Sequence, residues 1–562
     1  MVGIEFKREY KHPLYLTHRH ITDLKDMLYT SAEIYANNNA FLVKRDGVYQ
    51  PVKYPEFRKI VDEVGTGLLN MGLKGKRIGI IGENRYEWAI AYLAVVCGTG
   101  IVVPIDKELP AAEINNLVQT SEMDAVIYSP KLQKVVDEVN VGIKIDMEKA
   151  LYEIADKGRE LIAGGDTSYI EAEIDPEEMQ ILLFTSGTTS SAKAVMLSHK
   201  NITSNLMAMS TMVAVDQHCV FLSVLPLHHT YECTCGFLCP MHIGACVAHS
   251  DGLRYVAKNL KEAQATIVLG VPLLFETMYN RIWKQAEKGG RAGKLRFGIK
   301  LTRFLCKFGI DIRKKVFAEI HETFGGKLHF MISGAAGVDP KIAQGLSDMG
   351  FVVLQGYGLT ECSPIAAVNR DVFHHDAAAG MVLPNVDMKI VDPDENGVGE
   401  IAIKGDNVMM GYYKNPEYTE EVLKDGWFYS GDLGYMDKDM FVYITGRKKN
   451  VIVTKNGKNI FPEELETHLC RSPYIQEVVV YGEDTPDGDT DVVAWIYPCE
   501  EEVTAKLGEG YSEDVLKALL DEAVLEVNHS LQNYKRIAKI VIKKEEFEKT
   551  TTKKIKRYAV NK

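Results

Sequence analysis

Short β-branched runs alternate along this chain with segments in which apolar residues recur every three or four positions. The first pattern is that of a buried strand, the second that of a helix with one face against a core. The alternation predicts strands over 77–82 (RIGIIG), 101–105 (IVVPI) and 125–128, with helices over 87–97 and 111–120 between them. Further strands are predicted over 180–184, 266–269, 328–332 and 352–354. Strand, helix and strand at this spacing imply an α/β fold with mostly parallel sheets covered by helices. After residue 446 the pattern changes. Strands over 477–481, 492–497 and 539–542 accompany one long helix over 513–531, which predicts a smaller α+β domain. A single core rarely grows past about 250–300 residues, so 562 residues call for at least two domains.

Composition narrows the classes. A net charge of −12 argues against a general nucleic-acid binder. Ten cysteines in so long a chain are not a disulfide framework, and Cys97 and Cys219 sit in apolar runs as reduced thiols would. The start MVGIEFKREYKHPLY lacks the apolar core of a secretory signal, and no run of about 18 apolar residues occurs. A cytoplasmic protein is expected.

The most informative segment is FTSGTTSSAKAVMLSH, at 184–199. Thr185, Ser186, Thr188, Thr189 and Ser190 crowd around Gly187, and Lys193 follows. Hydroxyls and backbone N–H groups in such a loop can wrap phosphate oxygens while a lysine offsets their charge. The plain alternative is a polar surface turn. The interval from Gly187 to Lys193 also fits a Walker A loop, but Ala192 replaces its second glycine and Ala194 its Mg²⁺-binding hydroxyl.

A second segment, QGYGLTECSP at 355–364, follows a predicted strand. Its Gly356-Tyr357-Gly358 turn would bring backbone close to a ligand, at the strand end where α/β sheets bind ligands. Glu361 offers a hard oxygen for Mg²⁺, although a lone glutamate is more often a surface charge.

Together these segments resemble the acyl-adenylate-forming superfamily. The remaining blocks agree in order: LPLHHTYE (225–232), SGAA (333–336), GEIAIKGDNVMMGYY (399–413), DGWFYSGDL (425–433), GRKKNVIVTKNGKNIFP (446–462) and KTTTKKIKR (549–557). The resemblance implies a large N-terminal AMP- and acyl-binding domain over 1–446, with an additional β subdomain, and a small mobile α+β C-terminal lid over 447–562.

It also implies roles. Thr185, Ser186, Gly187, Thr188, Thr189 and Lys193 would cradle the ATP phosphates. Gly334, Ala335, Ala336 and Tyr357, with its flanking glycines, would hold adenine. Thr360 would touch the α-phosphate, and Glu361, with Thr185, would bind Mg²⁺. Asp432 would accept hydrogen bonds from the ribose, with Arg447 beside it, and His229 would lie near the substrate carboxylate. Lys554 would bridge carboxylate and α-phosphate. The lid would rotate about Lys449 and bring in the loop around Gly457 to line a thiol tunnel.

Four departures stand out. The phosphate loop has Ser190, Ala192 and Ala194 where the superfamily has Gly, Pro and Gly, and Lys553 replaces a glycine before Lys554.

The implied reaction is ATP-dependent activation of a carboxylic acid to acyl-AMP, then transfer to coenzyme A, that of an AMP-forming acid–thiol ligase. An insert before SGAA, and Glu232 after LPLHHTY, resemble the long-chain fatty acyl-CoA synthetases within the superfamily. Alternatives are transfer to a carrier-protein phosphopantetheine in trans, and a non-catalytic nucleotide- or acyl-binding relative. Residues 281–327 carry 13 Lys and Arg against 4 Asp and Glu, with Phe297, Leu301, Leu305 and Phe308 at helical spacing. That is a basic amphipathic segment suited to a membrane surface or an anionic ligand, or else a solvated helix covering the sheet. Cys233, Cys235, Cys239 and Cys246 near His242 lack a standard zinc spacing and read as thiols flanking the acyl pocket.

Overall fold

The computed structural model describes residues 10–15, 19–185, 193–334, 336–454, 458–485, 490–549 and 555–560. The first predicted strands form as Lys76–Ile81, Gly100–Ile105 and Ala125–Tyr128, parallel neighbours in a seven-stranded sheet. Each is apolar on both faces because helices cover both. Ile143–Asp146 extends the sheet on one side and Met179–Thr185 on the other, both parallel. Lys193–Ser198 and Gly411–Tyr412 then continue it antiparallel.

Among the described residues a second sheet has 14 strands and two characters. Asn39–Arg45, Cys246–His249, Val220–Ser223, Ile267–Gly270, Phe330–Ser333 and Val352–Gly358 run parallel. Past Val352–Gly358 every pairing is antiparallel, through Ile365–Val368, Gly380–Val382, Phe441–Arg447, Trp427–Met436, Gly399–Gly405 and Val386–Val391. The expectation of mostly parallel sheets therefore describes one half of this sheet, and the additional β subdomain is its other half.

The change of character falls inside Val352–Gly358. Its first residues pair parallel with Phe330–Ser333, while Gly356, Tyr357 and Gly358 pair antiparallel with Ile365–Val368. The expected Gly-Tyr-Gly turn is thus a continuing strand that exchanges partners. Glycine is needed at 358 because a Cβ there would lie 1.9 Å from the Pro364 carbonyl oxygen.

The C-terminal part has its own sheet, Ile475–Asp484 and Thr490–Pro498 antiparallel with Lys539–Ile542 added parallel. Leu465, Val480, Ile496 and Leu520 close a core separate from the rest. The long predicted helix forms as Glu513–Ser530, capped by the Ser512 side chain accepting from the backbone N–H of Val515. All ten cysteines are free. No helix among the described residues is long and apolar enough to cross a membrane.

Candidate active site

Met179–Thr185 and Lys193–Ser198 form an antiparallel ladder that places Thr185 opposite Lys193. The hydroxyl-rich segment joins them. Its Ser186, Gly187, Thr188 and Thr189 lie outside the described residues, as do Ala335, Gly457 and Lys554. A Walker A loop leads from strand to helix, whereas here Lys193 opens a second strand, which removes that reading. The Thr185 hydroxyl donates back to the Lys193 carbonyl at 3.4 Å.

Lys193 is held by aromatic rings. Its Nζ lies 3.2 Å from the centroid of Tyr418 and 5.6 Å from that of Tyr412. Tyr412 in turn donates its hydroxyl to Glu361 Oε1 at 2.7 Å. Burial first, and then the Glu361 charge, raises the Tyr412 phenol above its ordinary range, so it stays a donor. Tyr412 reaches this position because Gly411–Tyr412 pairs with Lys193–Ser198, with Tyr412 opposite Val195. Lys193 and Glu361, 168 positions apart in the chain, are thereby joined through one tyrosine.

Thr360 and Glu361 sit on a short turn, Thr360–Cys362, fixed from behind by buried amides. Asn407 donates to the carbonyls of Cys362 and Ile365, Asn205 donates to Ile365, and the Met409 N–H donates to the Glu361 carbonyl at 2.8 Å. Sequence reasoning did not single out these amides or Tyr418. A buried asparagine within an apolar block was the available signal, because such a side chain must find partners.

At the neighbouring strand end, Tyr357 donates to Asp432 Oδ2 at 2.8 Å, and Arg447 Nε lies 2.7 Å from Oδ1. Asp432 and Arg447 are cross-strand partners in the antiparallel half. Tyr357 is buried, and its phenol is raised first by burial and then by Asp432. A carboxylate has about four acceptor sites, and Tyr357 and Arg447 engage one oxygen each.

The SGAA segment begins at the end of Phe330–Ser333. The Gly334 N–H donates to the Gly270 carbonyl, and a Cβ at 334 would press on the Tyr231 ring at 2.8 Å. Gln355 clamps the far side of this loop, its Oε1 accepting from the Val338 N–H at 2.9 Å. Ala336 is exposed.

His229 is half-buried, with its ring centroid 4.1 Å from that of His228. Burial, then His229 and Lys107, drive His228 well below its ordinary range, so the 3.6 Å approach of His228 to Asp106 is a contact of a neutral ring rather than an ion pair. Next to them, Glu232 is fully buried and its carboxyl is pushed up to about 8 by burial, with Ser223 and the backbone of Leu225 and Val224 partly offsetting that. Cys233, Cys235, Cys239 and Cys246 are buried thiols around the same helical segment. Among the described residues no group of three His, Cys, Asp or Glu side chains converges as a metal site.

Lys449 follows Arg447 by two residues. Burial, then Arg447, Lys193 and Arg557, push its ammonium down, while Asp432 pulls the other way. Lys449 thus feels the charge of cations from the Lys193–Ser198 strand, the antiparallel half and the terminal motif. The terminal motif is anchored on both flanks. Lys549 pairs with Glu477 and Glu546, Arg557 pairs with Glu466, and Lys549 bridges Ile555. The two parts of the chain also touch through Lys448 with Glu400, Lys458 with Glu395, and Arg471 with Asp339. A cavity of about 440 Å³ opens between Lys449, Arg557 and the strand residues Val479–Gly482. A second, of about 370 Å³ beside Asp62 and Glu63, holds none of the site residues.

Comparison with known proteins identifies the family of the chain. A family model described as AMP-binding enzyme matches residues 28–413, and one described as AMP-binding enzyme C-terminal domain matches 449–562. The chain is 29% identical to long-chain-fatty-acid–CoA ligase 1 of Cavia porcellus, over 95% of this chain and 84% of that protein. It is 28% identical to fatty acyl-CoA synthetase B of Dictyostelium discoideum, over 90% and 82% respectively. The solved structure of ATP-bound MatB from Rhodopseudomonas palustris superposes with a TM-score of 0.76 at 22% identity, covering 96% of this chain and 98% of that one, a likeness of fold. With the first family model spanning more than half of its length and the second most of the remainder, the chain belongs to the AMP-binding enzyme family.

Proposed function

We propose that this chain is an AMP-forming acid–CoA ligase that activates a fatty acid as acyl-AMP and passes the acyl group to coenzyme A. The carrying observation is the joining of Lys193 to Glu361 through Tyr412, beside the Tyr357–Asp432–Arg447 cluster, at adjacent strand ends. The names of the curated relatives support the acid and the acceptor.

A carboxylate is already ionised at neutral pH, so its attack on the α-phosphorus needs charge stabilisation rather than a base. In this reading Asp432 accepts from the ribose hydroxyls, with Arg447 holding its orientation. Gly334, Ala335, Ala336 and the Gly356–Tyr357–Gly358 strand end border adenine. Thr185, the loop 186–189, Lys193 and Thr360 face the phosphates, and His229 faces the acid. Lys554 bridges the two reacting anions. Mg²⁺ suits the donors present, since the Glu361 carboxylate and Thr185 hydroxyl are hard oxygens and Tyr412 occupies one of Glu361's oxygens. When bound, the ion would offset phosphate charge.

The boundary of the large domain is placed after residue 446. The lid from 447 turns about Lys449 to exchange Lys554 for the loop around Gly457 as the thiol enters. The thiol is a small fraction thiolate at neutral pH, but the mixed anhydride is reactive enough to be attacked.

Pyrophosphate release measured over acids from acetate to oleate, with aromatic acids included, tests the reading. Release that depends on a medium- or long-chain acid, followed by acyl-CoA and AMP when coenzyme A is added, is expected. Silence with every acid would leave a nucleotide-binding relative without catalysis. Faster transfer to a purified acyl carrier protein than to coenzyme A would change the acceptor.

A further inference from the structure

The helix Ala292–Cys306 turns its apolar side outward. Residues on a helix advance by about 100° each, which places Phe297, Leu301 and Phe304 within an arc of about 60°. They are exposed by 67, 37 and 58%. The packed face, Leu295, Gly298 and Thr302, lies about 120° around the helix from it. Phe308, 66% exposed, continues the stripe beyond the helix end, and its ring meets Phe304 edge to face at 5.1 Å. Ile310 is half exposed beside it. A helix that merely covered a sheet would show water its polar side. The outward side of this helix is instead apolar along its centre.

Cations flank the stripe. On the same helical wheel Lys294 falls on one side of it and Lys300 on the other, and Lys307 follows just past the helix end. All three are exposed, and among the described residues none has an acid within ion-pair reach. Arg303 and Arg291, by contrast, are bound to Asp348 and Glu319. The segment 281–327 carries a net +9 in a chain of net −12.

We propose that this face docks on an anionic lipid bilayer, with Phe297, Leu301, Phe304 and Phe308 among the upper acyl chains and the three lysines at the phosphates. Rings at the centre and ammonium groups at the margin match the order in which a bilayer presents hydrocarbon and phosphate. An acidic protein would satisfy the lysines and leave the projecting rings without a groove. The proposal extends the fatty-acid reading by naming the surface from which an apolar acid would be drawn. Its test needs no turnover, so either idea can fail without the other.

The full chain is sedimented with vesicles of phosphatidylcholine alone or mixed with phosphatidylglycerol. Binding to the mixed vesicles only, weakened at about 0.5 M salt, is expected. The triple change Phe297→Ser, Phe304→Ser and Phe308→Ser is expected to lower the vesicle partition at least about tenfold, and each Lys→Gln change at 294, 300 or 307 about fivefold, without a shift in Tm. A Phe304→Trp variant adds a readout on a folded protein, a blue shift of the introduced indole that appears only with anionic vesicles. Failure of the parent chain to sediment at low salt overturns the proposal. So does a triple variant that binds like the parent, or capture of the face by an acidic carrier protein with no vesicle binding.

Discussion

Tyr357 and Asp432, 75 residues apart, share a 2.8 Å hydrogen bond that ties the last parallel strand of the long sheet to its antiparallel half. The Arg447 guanidinium closes the other side of the same carboxylate at 2.7 Å. The proposed ribose acceptor is thus oriented before any nucleotide arrives, by a phenol from one half of the sheet and a guanidinium from the other.

Tyr357→Phe removes that donor while keeping the ring. Losing a hydrogen bond to a buried charged group costs about 1.5–3 kcal/mol. Denaturant unfolding is expected to show a loss of that order, and KM for ATP is expected to rise roughly tenfold with KM for the acid unchanged. Equal changes in both KM values would show that Asp432 does not serve the nucleotide.

Lys193 rests on Tyr418 at 3.2 Å. A cation over a ring contributes about 0.5–2 kcal/mol. Tyr418→Leu is expected to slow adenylation several-fold by releasing the lysine, and Lys193→Ala to slow it by about 100-fold or more. If the Tyr418 variant matched the parent in pyrophosphate release, the ring would be packing and not a support for the ammonium.

Lys554→Ala is expected to reduce acyl-AMP formation by about 100- to 1000-fold while thioester formation from supplied acyl-AMP survives far better. The two half-reactions are measured separately, and equal losses in both would count against the bridging role.

Glu232 gives a pH dependence with a definite sign. Burial pushes its carboxyl from an ordinary 4.5 to about 8. Between those values the folded chain holds a proton that the unfolded chain has released. The corresponding stability is fully present below about pH 4.5 and is lost as pH rises toward about 8. Glu232→Gln, neutral at all pH, is expected to raise Tm above that of the parent at about pH 8.5 and to change it little near pH 5. A parent whose stability does not fall over that range would show Glu232 to be ionised in the folded state.

Much of this protein was legible in its residues. The RIGIIG and IVVPI strands, the helix before residue 97 and the terminal α+β unit formed within a few residues of their predicted limits, because strand and helix periodicities are local properties of the chain. Thr185, Lys193 and Glu361 were singled out as well, because hydroxyls, an ammonium and a hard carboxylate oxygen are the groups that a phosphate and a divalent cation would call for, whereas Asp432 was singled out only by its place in a block resembling the superfamily. Tertiary structure decided how those groups meet. No local pattern says that Val352–Gly358 changes partners midway, that Tyr412 would stand between Lys193 and Glu361, or that Asn205 and Asn407 would hold the Glu361 turn from behind. Strand pairing and buried hydrogen bonding join residues tens to hundreds of positions apart, and which partners meet is chosen by the packing of whole sheets. The same holds for Phe297 and Phe304, whose spacing announced a helical stripe but not the side facing water. That choice was made by Leu295, Gly298 and Thr302, which present the small and complementary surface that the core could accept.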